Sequence, residues 1–306
     1  MPEQTPFAKV ERTRAYGADI VLKGRNLNEC EETVNALIDA HGYSLIHPYD
    51  NADVVAGQGT AGLEMLQAVP ELDVLIVPIG GGGLIAGMAI IAKSIKPDIR
   101  IIGVEAELYP SMSQQIAGQP ITCGGETIAE GIAVKSPGSI TLPIIKELVD
   151  DIIIVGEKQL EWAVGTLAEQ QRVIAEGAGA ASLAALRCDK QYFKGKAVGG
   201  IICGGNIDMR LLGTILNRQM MSDGRLIRLR IGISDEPGML GKIATAIADC
   251  SGNIVEIYHQ RMFYDIPAKL AKIDAVVDTR GEAHAREIIS ALQDKNFQVD
   301  VIEEPS

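Results

Sequence analysis

The chain has 306 residues, of which 47% are hydrophobic and 22% are charged. These values are typical of a folded globular protein and exclude a disordered or fibrous chain. The formal net charge of −12 would repel nucleic acid and anionic lipid, so we expect neither as a partner. The five cysteines form no CxxC pair, which favours a reducing, cytoplasmic location and argues against a disulfide framework or a zinc site.

The amino-terminal elements are short. The pattern predicts a helix over residues 9–16, closed by Gly17, and a strand over residues 19–22. The opening MPEQTPFAKVER has neither the basic region nor the apolar core of a signal peptide. Isolated pieces of this size cannot bury a core by themselves.

Short apolar runs then alternate with longer helical patterns. Strands are predicted at residues 73–78, 100–105, 152–155 and 196–203, and helices at residues 84–95 and 159–173. This alternation predicts an α/β domain, over residues 1–218, with a parallel sheet covered by helices on both faces.

The pattern changes after a break at RQMMSDG, which predicts a linker over residues 219–225. Beyond it, strands are predicted at residues 226–233, 253–260, 272–279 and 297–302, and helices at residues 242–250 and 283–295. The order βαββαβ predicts a separate ferredoxin-like domain over residues 226–306.

The uncharged stretch VLIVPIGGGGLIAGMAIIA (74–92) holds four consecutive glycines. It is long enough to cross a bilayer, but Pro78 and the glycines would break a membrane helix, so we expect no membrane segment. A strand, a glycine turn and a helix in succession are typical of phosphate binding, because free backbone N–H groups point into one concavity. The alternative is a tight turn, which one or two glycines would satisfy.

Two kinds of phosphate ligand compete at this point. Gly81, Gly83 and Ala86 match a relaxed dinucleotide pattern, with Glu105 as the acid expected at a ribose. A second glycine turn, Cys203-Gly-Gly-Asn, follows another strand and favours a ligand held between two turns. Cys203 taken alone is more often a buried small hydrophobic residue than a reactive group.

Two further motifs have structural alternatives. EGAGA (176–180) opens a helix after a carboxylate, and either close helix packing or ligand binding explains its glycines. His47 and Asp50 in HPYD are three residues apart, a spacing common by chance, and we interpret them as structural. We predict no catalytic residue from either motif.

Together, these ordered motifs resemble the threonine dehydratases, which are pyridoxal-phosphate (PLP) enzymes of the tryptophan-synthase-β fold type. The motifs are HPYD (47–50), GQGT (57–60), VPIGGGGLIAG (77–87), IAEGIAV (128–134), VIAEGAGA (173–180) and IICGGNID (201–208). The carboxyl-terminal domain, with EPGML (236–240) at its first turn, resembles an ACT regulatory domain.

The resemblance implies a site, a reaction and partners. Gly80, Gly81, Gly82, Gly83 and Leu84 would hold the cofactor phosphate, and Cys203 would face the pyridine nitrogen. The family reaction removes the α-proton of threonine or serine, expels the β-hydroxyl, and yields 2-oxobutyrate or pyruvate with ammonia.

The resemblance also implies regulation. A branched-chain amino acid effector would bind at Asp235, Gly238, Met239 and Leu240. A homo-oligomer active in amino-acid metabolism, with isoleucine biosynthesis as one context, is expected. The alternatives are amino-acid binding without chemistry, or a related serine or hydroxyaspartate dehydratase. RNA binding by the same βαββαβ order is disfavoured by the acidic charge.

One part of the family pattern has no counterpart. Neither the Ser-Phe-Lys-x-Arg motif of the Schiff-base lysine nor the asparagine loop that follows it occurs in these residues. We therefore expect a chain that starts late relative to the family, with little or no activity. Lys23-Gly-Arg25 mimics the lysine spacing, and we interpret it as a surface turn. Glu105 matches a metal ligand of related enzymes, but Ser111 replaces the second acid, so no divalent ion is expected, and a monovalent cation is the alternative.

Overall fold

The computed structural model describes residues 1–5, 7–25, 27–260 and 270–302. The strands of its first sheet are β1 Val74–Pro78, β2 Arg100–Ala106, β3 Asp151–Val155 and β4 Val198–Gly200. They are parallel and lie in the spatial order β3-β2-β1-β4. Every residue of β1 is buried, as its uninterrupted apolar sequence predicts for a central parallel strand.

Helices cover both faces of this sheet. They are α1 Phe7–Ala15, α2 Leu27–His41, α3 Ala52–Ala68, α4 Gly83–Ile95, α5 Ser111–Ile116, α6 Thr141–Leu148, α7 Glu157–Thr166, α8 Gly177–Cys188, α9 Lys190–Phe193 and α10 Met209–Ser222, with a 3₁₀ turn at Glu130–Ile132 and a π-helical turn at Leu167–Gln171. Side chains of β1 alternate between two cores: Ile76 joins the core formed with α7 and α8, whereas Leu75 and Val77 join the core formed with α3 and α4. The predicted α/β class and its parallel sheet are confirmed.

The carboxyl-terminal part forms a second sheet with its own core. Its elements are β5 Leu226–Ser234, α11 Met239–Asp249, β6 Asn253–Gln260, β7 Leu270–Asp278, α12 Glu282–Asp294 and β8 Gln298–Val301. The strands pair antiparallel in the order β6-β7-β5-β8. This is the ferredoxin-like arrangement that the βαββαβ order predicts. Its buried core includes Leu229, Ile243, Ile273 and Ile288.

Some sequence-based boundaries need correction. In the part of the chain that the structure describes, residues 19–22 form no strand, because no run of paired residues extends over them. The Val21 oxygen accepts from the Met1 ammonium, and the neighbouring Lys23 N donates to the Met1 oxygen. The last parallel strand covers only Val198–Gly200 of the predicted 196–203. The predicted linker 219–225 is helical over its first four residues, because α10 continues to Ser222.

Two other expectations concern the turn at residues 23–25 and a membrane segment. Gly24 has φ 81 at a bend between the exposed residues Lys23 and Arg25, so this segment is the expected surface turn. Among the described residues, none of the helices combines the length and the apolar character needed to cross a bilayer.

Candidate functional site

The glycine run connects β1 to α4 at the carboxyl edge of the parallel sheet. Gly81, Gly82 and Gly83 are buried, and Gly82 has φ 97 immediately before the first turn of α4. Within the described part of the chain, no protein acceptor takes the amide hydrogens of residues 80–84. A series of unpaired N–H groups at a helix N-terminus forms a concavity suited to an anion.

Helix α6 packs against this loop and holds it in place. The Thr141 hydroxyl donates to the Gly81 carbonyl oxygen at 2.6 Å in a buried position. A Cβ on Gly82 would lie 2.6 Å from Ile145 Cδ1 and 2.8 Å from Thr141 Oγ1. The backbone conformation and the close packing therefore both require glycine at position 82.

The ring of Tyr49 packs on the other side of the loop. A Cβ on Gly81 would overlap the carbons of this ring, and a Cβ on Gly83 would lie 3.0 Å from the Tyr49 backbone. The Tyr49 hydroxyl donates to the Ser136 carbonyl oxygen at 3.2 Å. Burial and the Asp50 carboxylate raise the pKa of Tyr49, so its ring stays neutral at pH 7. Tyr49 thus lies directly against the candidate phosphate site.

The remaining polar residues of HPYD have structural roles, as predicted. Asp50 accepts hydrogen bonds from Ser139 N at 2.8 Å and Ile140 N at 2.7 Å at the start of α6. Partial burial opposes the shift, but hydrogen bonds from Ser139 and Ile140 lower the pKa of Asp50. His47 Nδ1 accepts from the backbone N–H groups of Tyr49 and Asp50. These bonds fix the segment that carries Tyr49.

The second glycine turn lies beside the first. Cys203 follows β4, which pairs parallel with β1 in the register Ile76 to Gly200, so both turns emerge at one edge of the sheet. Cys203 and Asn206 are exposed. Gly204 is held by a hydrogen bond from Glu176 N to its carbonyl oxygen at 3.0 Å.

The glycines of EGAGA serve close packing. A Cβ on Gly179 would overlap the backbone of Gly204, and a Cβ on Gly177 would lie 2.5 Å from the Ile128 carbonyl oxygen. Helix α8 can therefore approach the second turn only because position 179 is glycine, and glycine at position 177 allows the helix to pack against Ile128. Of the two explanations left open by the sequence, the packing explanation accounts for them.

The Cys203 thiol has a distinct electrostatic environment. Desolvation by neighbouring atoms, and then the Glu176 carboxylate, raise the pKa of Cys203. Burial also raises the pKa of Glu176, which Lys9 partly opposes. The thiol is therefore protonated at pH 7 and adds no negative charge to the site.

Glu105 caps the N-terminus of α5. It is fully buried, and its carboxylate accepts from Met112 N at 2.7 Å and Ser113 N at 2.9 Å at the start of α5. Burial raises its pKa, which these two hydrogen bonds oppose. Both oxygens are engaged in capping a helix, so the geometry does not support the ribose-binding role. Over the residues described, no group of three His, Cys, Asp or Glu side chains is placed to hold a metal ion.

The residues expected to bind an effector lie at the turn between β5 and α11. Gly238 has φ 89 and precedes the helix, which begins at Met239. Asp235 follows the end of β5, and Leu240 is exposed. The structure thus brings the four residues onto one turn.

Sequence inspection missed two residues of the candidate site. Tyr49 lies in the HPYD motif, in which only His47 and Asp50 are candidate acid or base groups, and Thr141 belongs to no motif. The Thr141 hydroxyl and its acceptor are 60 residues apart in the chain. No local pattern marks such a contact, because only the fold brings α6 against the loop.

The chain is similar to a known protein family and to proteins of known structure. The profile of the family described as pyridoxal-phosphate dependent enzymes matches residues 1–204. The L-threonine ammonia-lyase of Geobacter sulfurreducens is 41% identical over an alignment of 308 positions, which covers 99% of this chain and 76% of that protein. A solved threonine deaminase from T.th. is 36% identical with a TM-score of 0.64, covering 68% of this chain and 69% of that one. A serine racemase from Dictyostelium discoideum is 38% identical with a TM-score of 0.62, over 68% of each chain.

The chain belongs to the family of pyridoxal-phosphate dependent enzymes, and within it to the threonine ammonia-lyases. The cofactor of this family carries a phosphate, and the amides of residues 80–84, which have no acceptor among the described residues, fit such a group. The glycine positions strengthen the fit, because side chains at Gly81 and Gly82 would clash with Tyr49 and Ile145.

Proposed function

We propose that this chain carries the cofactor site of a threonine ammonia-lyase, which converts threonine or serine to 2-oxobutyrate or pyruvate with release of ammonia. The observation that carries the proposal is the set of unpaired amides over Gly80, Gly81, Gly82, Gly83 and Leu84, in a chain of this family. Bound PLP supplies an electron sink for the substrate α-carbon. The loop contributes backbone N–H donors and the partial positive charge of α4 to the phosphate.

Cys203 is the proposed partner of the cofactor's ring nitrogen. Its raised pKa keeps the thiol neutral, with one weak donor and weak acceptor capacity. A neutral thiol would contact that nitrogen without protonating it firmly. With PLP bound, such a partner would favour elimination of the β-hydroxyl over transamination.

The proposed activity of these 306 residues by themselves is low. The family's Ser-Phe-Lys-x-Arg motif does not occur in them, so no residue of this sequence matches the family's base for the α-proton. We propose that the 306 residues bind the cofactor phosphate but convert little substrate. Serine or hydroxyaspartate remain alternative substrates.

The experiment is to add PLP and threonine to the purified chain, and to measure 2-oxobutyrate and the visible absorption of a lysine-bound cofactor. The proposal expects neither signal above background. A second protein, in which a family segment with the Ser-Phe-Lys-x-Arg motif precedes this chain, should give both signals. Replacing that lysine by alanine should remove them. Turnover by the 306 residues alone would refute the low-activity claim, and an inactive, folded fusion would refute the threonine ammonia-lyase assignment.

We propose that residues 226–306 are an ACT-type regulatory domain following a catalytic domain over 1–218. The βαββαβ order and the turn with Asp235, Gly238, Met239 and Leu240 support this proposal. The proposed effector is a branched-chain amino acid. Calorimetry with isoleucine and valine should give saturable heat that Gly238→Val removes. Absence of heat from both amino acids would contradict the assignment of an effector.

We also propose that the protein is a cytoplasmic homo-oligomer active in amino-acid metabolism. The five free cysteines support a reducing compartment. Light scattering of the purified chain tests the oligomer directly, since a monomer at micromolar concentration would contradict it.

A further inference from the structure

A second concave region lies away from the glycine turns, where α7, α8 and α9 meet. It is an open groove with a volume of about 520 Å³. This volume falls within the range of roughly 300–1,000 Å³ that is usual for small-molecule sites. We call it the Trp162 groove.

The floor of the Trp162 groove is apolar. It is formed by Trp162 of α7, Leu183 and Leu186 of α8, and Phe193 of α9. Phe193 belongs to the buried core, and the other three pack against that core. The floor is therefore held in place by the fold.

The rim of the Trp162 groove is basic. Arg187, Lys190 and Lys194 line it, and among the residues that the structure describes no acidic side chain lines the groove. Over the residues that the structure describes, none of these three cations forms an ion pair with a carboxylate. The Arg187 guanidinium lies 4.3 Å from the centre of the Trp162 ring, which fixes one cation above the apolar floor.

This charge pattern contrasts with the rest of the chain. The chain has a net charge of −12, yet three cations surround one apolar floor. None of the three forms an ion pair with a described carboxylate. Solvation of the lysines would not explain the apolar floor. Binding of an uncharged apolar ligand would not explain the basic rim. A ligand with an apolar body and one anionic end satisfies both features.

We propose that the Trp162 groove binds an aliphatic monocarboxylate, with its hydrocarbon body on Leu183, Leu186 and Phe193 and its carboxylate facing Lys190 and Lys194. This site is separate from the cofactor site, since its lining includes no residue of either glycine turn. The proposal does not depend on activity of the enzyme.

The test uses the fluorescence of Trp162, the only tryptophan in the chain. Octanoate is the probe, acetate supplies the charge without the body, and hexanol supplies the body without the charge. The groove variant is Lys190→Gln with Lys194→Gln. The matched control is Lys146→Gln with Lys158→Gln, which changes the charge equally at exposed lysines outside the groove.

We expect a saturable fluorescence change with octanoate, and none with acetate or hexanol at the same concentrations. The groove variant should bind octanoate at least about fivefold more weakly, and the control variant should match the original chain. Three results would each overturn the proposal: no saturable change with octanoate, equal affinity in the groove variant, or an equal response to hexanol.

Discussion

The two glycine turns at the edge of the parallel sheet are supported differently. Residues 81–83 are buried between Tyr49 and α6, whereas Cys203 and Asn206 are exposed. The first turn presents only backbone N–H groups, and the second presents a side chain. Backbone donors cannot change rotamer to find a ligand, so they need a loop that the core holds in place. A side chain can change rotamer to reach a ligand, so the loop that carries it can be more exposed.

The largest expected effect is from Gly82→Ala in the buried turn. The new Cβ would meet Ile145 and Thr141 at a φ of 97, so the loop must move. We expect the affinity for pyridoxamine 5′-phosphate to fall at least ~100-fold by calorimetry. Gly213→Ala in α10 is the matched control, because a Cβ there has no neighbour within 4 Å. It should leave affinity unchanged, and an equal loss in both variants would contradict the account.

Tyr49→Ala should have the next largest effect. Removing the ring leaves Gly81 unsupported on one face, and we expect the same ligand to bind ~10-fold more weakly. Tyr49→Phe keeps the ring and loses only the hydrogen bond to Ser136, so it should retain affinity within about threefold. If the alanine and phenylalanine variants bind alike, ring packing is not the cause.

Asp50→Asn should destabilise the chain by ~1 kcal/mol at pH 7, because Asp50 accepts the N–H groups of Ser139 and Ile140 immediately before α6. The folded pKa of Asp50 is lowered, so its contribution is complete above about pH 4 and is lost as the pH falls through the lowered folded pKa. Urea unfolding between pH 3 and pH 7 measures this. The gap between original and variant should close on acidification, and a gap that widens would contradict the assignment.

Cys203→Ala should have the smallest effect on phosphate binding. The exposed second turn offers no contact to the phosphate in this account, so affinity for pyridoxamine 5′-phosphate should change less than about twofold. A loss as large as that of Gly82→Ala would mean that the two turns are not independent.

The sequence predicted the buried turn and its flanking elements well. Strand β1 is uncharged, and helix α4 is uncharged except for Lys93. Glycines separate the two elements, and such local patterns determine local structure. The sequence also predicted the βαββαβ order of the second domain, because β5 and β7 largely alternate between more buried and more exposed residues.

Contacts between distant segments were not predictable. Thr141 and Tyr49 support the loop through the fold, and nothing in their local sequence indicates it. Residues 19–22 looked like a strand by composition, but a strand also needs a partner, and Val21 and Leu22 stay exposed. Glu105 matched an acid position in two families, yet burial and two backbone hydrogen bonds make it a helix cap here.

The most direct test compares pyridoxamine 5′-phosphate with pyridoxamine by calorimetry on the 306-residue chain. Neither compound has an aldehyde, so neither can attach to a lysine, and the comparison isolates the phosphate. If the amides of residues 80–84 hold the phosphate, the phosphorylated compound should bind at least ~100-fold more tightly, and Gly82→Ala should abolish the difference. Equal affinity for the two compounds would contradict the account.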